Sequence, residues 1–442
     1  MKPVRIGLLG LGTVGSGVVR LLERNRDVIE EKAGAPVQVV RALVRDPRKA
    51  RDLGGARPEL TTDPAEVAGA PDIDMVVEVL GGTEPARDYI LRALRAGQFV
   101  VTANKDVMAE YGADVFEAAR AGGAEVWFEA SVGGGIPIIR PLKESLGANR
   151  IQSVLGIVNG TTNYILTRMT REGMSFDDAL REAQRLGYAE PDPRNDVDGI
   201  DAARKLAILA SIGFLSRITP ADVYTEGIGS IGPRDIEHGR RLGWTVKLLA
   251  IARERDGAIE ARVHPAFIPL HHPLAAVSGS LNAIFVTGDA VGETMFYGRG
   301  AGDMPTASSV LGDVIGAARS LALRRLLGGQ RPEAAPYWPG TVLQCTCYHD
   351  KPVRPMAEVV TRTYLRLTVV DQPGVLARVA GVLGQNGVSI AHILQTPDEA
   401  TGTAEIALVT HEVVERRMEE ALATLRRLPE VRAVESRIRI EG

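Results

Sequence analysis

The stretch "VRIGLLGLGTVGSGVVRLLERN", starting at Val4, constrains this chain more than any other. An apolar run from about Val4 to Leu9 leads straight into Gly10, Gly12 and Gly15 in G-x-G-x-x-G spacing, and a helical pattern follows through Val18, Val19 and Leu22. The first glycine permits a tight turn. The second lets backbone approach a pyrophosphate, and the third lets helix and strand pack closely. The helix N-terminus then offers its orphan N–H groups to the phosphates. The spacing predicts a strand–turn–helix unit that holds a dinucleotide; a tight turn with no ligand is the alternative.

A second strand, "VQVVRALV", ends at Arg45 followed by Asp46. A carboxylate at such a strand end grips the ribose 2′-hydroxyl of NAD, whereas an arginine pairs with the 2′-phosphate of NADP. Arg45 favours NADP, and Asp46 keeps NAD open. Further strand signals at "IDMVVEVLGG" and "QFVVTANKD", with helical stretches between them, continue a βαβ repetition. Ligands of open parallel sheets sit beyond the carboxyl ends of the strands, where Gly81, Gly82, Asn104 and Lys105 fall.

At 442 residues the chain is too long for one hydrophobic core, so about two to four domains are expected. With 52 basic against 55 acidic residues, there is no positive surplus to neutralise a nucleic-acid backbone. The opening "MKPVRIGLLG" lacks the apolar segment and cleavage site of a secretory signal. No apolar run approaches the roughly 20 residues that span a bilayer. Cys345 and Cys347, in "LQCTCYHD", would share one face of a strand, too few ligands for a structural zinc site and no disulfide framework. A soluble, cytoplasmic protein that binds neither nucleic acid nor membrane is expected.

After the first unit the pattern changes. In "AEVWFEASVGGGIPIIRPL", Gly133, Gly134 and Gly135 allow backbone to lie against a ligand or expose carbonyls, and Glu129 upstream makes a hard-cation site an alternative to a tight turn. "GIVNGTTNYILTRM" offers an Asn-Gly turn and threonines that either cap a helix or bind a small polar ligand. "GYAEPDPRNDVDGIDAARK" packs five carboxylates between Glu190 and Asp201, with Lys205 one helical turn further on. If the helix begins near Val197 or Asp198, Asp201 and Lys205 project from one face. Pro191 and Pro193 stiffen the approach and hold Glu190 apart from that helix. Glu190 and Asp201 would then hold an amino-bearing substrate. A lysine, with an ordinary pKa near ~10.4, would protonate an alkoxide as hydride arrives at a carbonyl carbon. A solvated acidic loop is the alternative.

These residues together resemble homoserine dehydrogenase. "GLLGLGTVGSGV" resembles that family's nucleotide loop, "VVTANKDVMAEYG" its first lysine segment, and "VNGTTNYIL" and "GYAEPDPRNDVDGIDAARK" its substrate-domain signatures, over about residues 1–320. The resemblance implies reduction of L-aspartate 4-semialdehyde to L-homoserine with NADPH or NADH, on the route to threonine and methionine. It implies that Gly12, Thr13 and Val14 contact the dinucleotide, and that Arg45 and Lys105 bear on phosphate or substrate orientation. Gly187 and Glu190 would border the cofactor–substrate junction, Glu190 and Asp201 would bind the substrate amino group, and Lys205 would donate the proton. Na+ held by oxygens of Glu129, Val132, Gly134 and Ile136 is also implied. "GRGAGDMPTASSVLGD", with Gly300 and Gly302, resembles the segment where the chain returns to complete the cofactor domain. Asn195 departs from the paired acids usual before Asp196.

The implied organisation is α/β: a Rossmann-type NAD(P)-binding domain over 1–134, completed by about 300–325, then an α/β substrate and dimerisation domain over 135–299. A linker over 326–361, including Pro332, Pro336 and Pro339, leads to a β-α-β module over 362–438. Asp371 to Ile390 resembles an ACT domain, a regulatory module that commonly pairs with its own copy to bind amino acids. Feedback by L-threonine and a homodimer or homotetramer are the implied consequences. Cutting within the Pro-rich segment is then expected to leave activity and remove sensitivity to threonine.

Overall fold

A computed structural model describes residues 2–326, 346–398 and 400–442. Cys345, Pro332, Pro336 and Pro339 lie outside the described residues. The chain divides into two compact units, Met1–Val154 with Arg204–Pro220 and Asn282–Asp350, and Leu155–Ala203 with Ala221–Leu281 and Lys351–Gly442.

The first unit is built on strands β1 (Val4–Leu9), β2 (Val37–Leu43), β3 (Glu59–Thr61), β4 (Met75–Glu78), β5 (Phe99–Thr102) and β6 (Val126–Trp127), interleaved with helices α1 (Thr13–Arg24), α2 (Arg26–Ala33), α3 (Ala86–Arg95) and α4 (Lys105–Ala121). The sheet is parallel, in the order β3-β2-β1-β4-β5-β6, which is the doubly wound dinucleotide-binding arrangement. Its central strands are apolar runs, and Met75, Val76, Val77, Val100 and Val101 are fully buried, as a sheet covered on both faces requires.

The chain continues through β7 (Ile151–Ile157), α5 (Gly160–Glu172), α6 (Phe176–Arg185), α7 (Arg194–Val197), α8 (Ile200–Gly213), β8 (Tyr224–Thr225), α9 (Pro233–Arg241), β9 (Trp244–Arg255), β10 (Ala258–Pro269), β11 (Leu281–Gly288), β12 (Gly292–Arg299) and α10 (Asp303–Leu326). The helix carrying Lys205 starts at Ile200, later than expected, because Gly199 turns left-handed (φ +82°) between α7 and α8. In the first unit α10 returns to pack on α1, where Gly17 lets the carbonyl of Asp303 approach and Arg20 pairs with Asp303 at 2.8 Å.

The C-terminal module comprises β13 (Val360–Val370), α11 (Val375–Gln385), β14 (Ile390–Asp398), β15 (Thr403–Thr410), β16 (Val413–Val414), α12 (Glu415–Leu425) and β17 (Val431–Ile440). Its sheet runs β17-β13-β15-β14, and Leu365, Leu367, Ile406 and Leu408 from the strands bury against Val379, Leu383, Met418 and Leu422 from the helices.

This module is not tethered at a distance from the rest of its unit. β17 pairs in parallel with β10, Ala266 opposite Arg439 and Phe267 opposite Ile440. Residues 352–354 lie against the start of β10, with hydrogen bonds of 2.9 and 2.7 Å to Ile259, so the expected linker ends in ordered pairing. Arg262, 1% exposed, pairs with Glu260 at 2.8 Å and with Glu441. Arg439, also 1% exposed, pairs with Glu226 at 2.7 Å and Glu415 at 2.9 Å. Buried Asp235 on α9 takes Arg366 of β13 at 2.7 Å, and His238 Nδ1 meets the Tyr364 hydroxyl at 2.8 Å. Burial, with Arg439 and Arg262 beside it, holds His264 well below the ordinary imidazole range, so its Nε2 accepts from Arg262. Among the described residues no helix is long and apolar enough to cross a membrane.

Candidate active site

In the first unit the glycine loop has the form its spacing predicts. Gly10 is left-handed (φ +101°), and a Cβ on Gly15 would sit 2.1 Å from the Gly10 carbonyl, so that position admits only glycine. A Cβ on Gly12 would meet nothing within 4 Å, which leaves its outer face open to a ligand. Thr13 is exposed and Val14 half-buried in the first turn of α1, which no side chain caps. These N–H groups fit a pyrophosphate. Arg45 is exposed two residues beyond the end of β2. Arg51, which carries no signal in the sequence, reaches from the same loop to the carbonyls of Leu11 (3.3 Å) and Asp46 (3.0 Å) and so ties the two cofactor loops together.

At the ends of β4 and β5, Asn104 caps α4 by accepting from the Val107 N–H at 3.1 Å. Lys105 is therefore the first residue of α4, with its ammonium 4.0 Å from Asp106. Arg204 on α8 approaches Asp106 (3.4 Å) and Glu110 (3.6 Å) on α4.

The Gly133–Gly135 turn is packed against the segment before α10. Gly134 is left-handed (φ +51°), a Cβ there would lie 2.4 Å from the Gly300 carbonyl, and Gly135 donates to Arg299 at 3.1 Å. Gly302, also left-handed, precedes α10. The Glu129 carboxylate is already used: it accepts from the N–H groups of Ile138 (2.5 Å), Ile139 (2.7 Å) and Arg140 (2.8 Å). Three backbone donors thus engage this carboxylate and close a backbone turn. Among the described residues no group of three or more His, Cys, Asp or Glu could hold a metal. Asp313 accepts from the Glu129 N–H at 2.7 Å, and burial, with the Glu129 charge nearby, pushes its pKa up to about 7.

In the second unit the Asn-Gly stretch caps a helix, one of the two roles its residues allow. Asn159 caps α5, its Oδ1 accepting from the Thr162 N–H at 2.9 Å, and its Nδ2 donates to Asp196 at 2.7 Å and to Asp201 at 2.9 Å. One buried amide thus draws two carboxylates together, Asp201 being 6% exposed. Glu190 stands elsewhere, exposed in the loop after α6, with its main-chain carbonyl held by Gln184 at 3.2 Å. Thr161 fixes that loop by donating to the Tyr188 carbonyl at 2.6 Å, and Gly187 turns left-handed within it (φ +78°). Asp201 lies in the first turn of α8, and Lys205, half-buried, follows one turn later.

Lys247 on β9 is 4% exposed and donates to the Asn163 side chain at 3.1 Å and to the Val277 carbonyl. A lysine alternating into a strand face gave no hint of this. Burial, with Arg171 nearby, pulls its pKa down to about 8. Below about pH 8 the folded protein carries the full cost of the buried charge. Between about 8 and 10.5 the unfolded chain binds the extra proton, so stability rises with pH, by up to roughly 3 kcal/mol from this group. Urea titrations from pH 7.5 to 10 should show that rise in the wild type and not in Lys247→Met; parallel curves would exclude the effect.

Cys347 is half-buried outside any strand, so the expected strand pairing with Cys345 is not seen from its side.

Family models match three stretches: "Homoserine dehydrogenase, NAD binding domain" over 10–129, "Homoserine dehydrogenase" over 137–315, and "ACT domain" over 363–430. A homoserine dehydrogenase of Synechocystis sp. is 47% identical, covering 99% of each chain. The crystal structure of a homoserine dehydrogenase from Thiobacillus denitrificans superposes with a TM-score of 0.92 at 45% identity, over 100% of this chain and 99% of that one. A hyperthermophilic archaeal homoserine dehydrogenase in complex with NADPH gives a TM-score of 0.59 at 30% identity, over 72% of this chain and 98% of that one. With a glycine loop open to a dinucleotide, an amide-bridged carboxylate pair whose second member stands one turn before a lysine, and this similarity along the whole chain, the protein belongs to the homoserine dehydrogenase family of NAD(P)-dependent oxidoreductases.

Proposed function

We propose that the chain interconverts L-aspartate 4-semialdehyde and L-homoserine, on the route to threonine and methionine in the cytoplasm, with Lys205 as proton donor and Asp201 as the anchor for the substrate amino group. The observation that carries this is the Asn159 bridge, which holds Asp196 and Asp201 within hydrogen-bonding reach of one amide at the head of the helix bearing Lys205. Two carboxylates sharing a buried donor keep a negative field where an ammonium would dock. The bound nicotinamide supplies or receives the hydride. Lys205 delivers a proton to the forming alkoxide and recovers one in reverse, and Lys105, fixed at the start of α4, orients the reacting groups. Glu190 contributes from its exposed loop, bordered by Gly187.

Gly10, Gly12, Thr13, Val14 and Gly15 would hold the pyrophosphate, with Gly302 behind them and Arg45 at the 2′ position. The archaeal relative bound to NADPH supports use of that cofactor here. The main-chain carbonyls of Glu129, Val132, Gly134 and Ile136 would hold Na+ as a structural ion that stiffens the glycine turn. The C-terminal module takes L-threonine as effector, in a homodimer or homotetramer.

Loss of NADPH and of NADH absorbance with L-aspartate 4-semialdehyde tests the reading directly. Arg45→Ala should lower kcat/KM at least tenfold with NADPH and little with NADH. An equal loss with both would remove Arg45 from the 2′-phosphate site, and no turnover by the wild type with either cofactor would refute the activity.

A further inference from the structure

Glu78 is the last residue of β4 and is 0% exposed. Register places it abreast of Leu9 at the end of β1 and Thr102 at the end of β5, on the sheet edge where this fold binds ligands. The phosphate loop follows β1 and the 2′ position follows β2, so β4 and β5 belong to the half that receives the nicotinamide nucleotide.

Every named partner of Glu78 is a neutral donor. One carboxylate oxygen accepts from the Thr102 hydroxyl at 2.6 Å; the other accepts from the Leu80 N–H at 2.8 Å and from Asn104 Nδ2 at 3.4 Å. The Gly81 N–H also donates to it. Asn104, 3% exposed, donates its own N–H to the Thr102 hydroxyl at 3.0 Å, gives Nδ2 to the Gly82 carbonyl at 2.7 Å and caps α4 with Oδ1. One carboxylate therefore organises two things: the Leu80–Gly82 loop and the first turn of the helix that begins with Lys105. Gly81 and Gly82 are both left-handed and exposed, and a Cβ on either would meet nothing within 4 Å, so this loop presents bare backbone outward. Burying a carboxylate is costly, and burial pushes its pKa up against these donors. A packing role alone would be met by an apolar residue at this site.

We propose that Glu78 is a positioning residue for hydride transfer, holding the Gly81–Gly82 backbone and Lys105 in register with the nicotinamide half of the cofactor through Thr102 and Asn104. This rests on the dehydrogenase reading above. Glu78→Ala should lower kcat at least tenfold with NADPH and with NADH alike, because displacing reacting groups by about 1 Å can cost ~10²-fold. Glu78→Gln, which keeps the shape and one acceptor oxygen, should recover part of that loss. The affinity for adenosine 2′,5′-bisphosphate, a probe of the β1–β2 half, should stay within twofold of wild type. Bound NADPH should lose the fluorescence enhancement that reports an ordered nicotinamide, a readout independent of turnover.

Thr102→Val removes a single donor and should lower kcat several-fold, carrying the same test if Glu78→Ala does not fold. Unchanged kcat and unchanged NADPH fluorescence in Glu78→Ala, or in Thr102→Val where the alanine variant is unfolded, would overturn the proposal. So would an equal weakening of the bisphosphate, which would make Glu78 a general structural residue. A wild type without turnover would overturn the activity instead, and the fluorescence comparison would still decide the role of Glu78.

Discussion

Lys205→Ala is expected to lower turnover about 10²–10⁴-fold while leaving cofactor affinity nearly unchanged. The lysine sits in the second turn of α8, half-buried, one turn after Asp201. Its neighbour Arg204 approaches Asp106 and Glu110. Those contacts belong to Arg204, so this attachment of α8 to α4 survives when Lys205 is shortened. Asp201→Asn should behave differently. It removes a charge from the pair bridged by Asn159, so KM for the semialdehyde should rise, and kcat should fall as the first turn of α8 loosens. A Lys205→Ala enzyme with near-normal turnover would pass the donor role to Lys105 or to an ordered water.

Deleting residues 351–442 is expected to abolish soluble, cooperatively folded protein rather than to yield a desensitised enzyme. The deletion removes β17 from the edge of β10 and takes away Glu441, Arg366 and Arg439, the partners of buried Arg262, buried Asp235 and half-buried Glu226. Arg253 also loses its 2.8 Å contact with Glu441. Breaking a buried ion pair by removing one partner costs roughly 3–5 kcal/mol, and a domain's whole stability is about 5–15 kcal/mol. Several such losses, together with uncovering buried Phe267, exceed what the remainder can absorb. Soluble yield, thermal melting and NADPH oxidation by residues 1–350 would decide the matter. A truncated protein that melts cooperatively near the full chain and keeps its turnover would show that the expectation of a detachable module was right after all.

The same contacts bear on regulation. The C-terminal module is connected to the Asp196 loop within its unit: Arg439 holds Glu226, and two residues on, Ile228 donates to the Val197 carbonyl at 2.9 Å, next to Asp196.

Local chemistry made the first part of this protein legible from its residues. The glycine spacing names a strand–turn–helix because each glycine answers one steric demand within a few residues, and Gly10 and Gly15 meet those demands as expected. The βα alternation set the parallel sheet for the same reason, since its period is local. Asp201 and Lys205 could be placed on one helical face because a helix repeats every four residues or so.

What required the tertiary structure depends on partners distant in sequence. Nothing near Glu129 announces that its carboxylate closes a turn onto Ile138, Ile139 and Arg140. Nothing near Asn159 shows that it reaches Asp196 and Asp201, 37 and 42 residues away. Glu78 and Lys247 read as an ordinary strand end and an ordinary strand lysine until burial is known. The attachment of the C-terminal module rests on Arg262 and Glu441, 179 residues apart. A charged residue has the same local signature whether solvent or a buried partner satisfies it, and only the fold decides which.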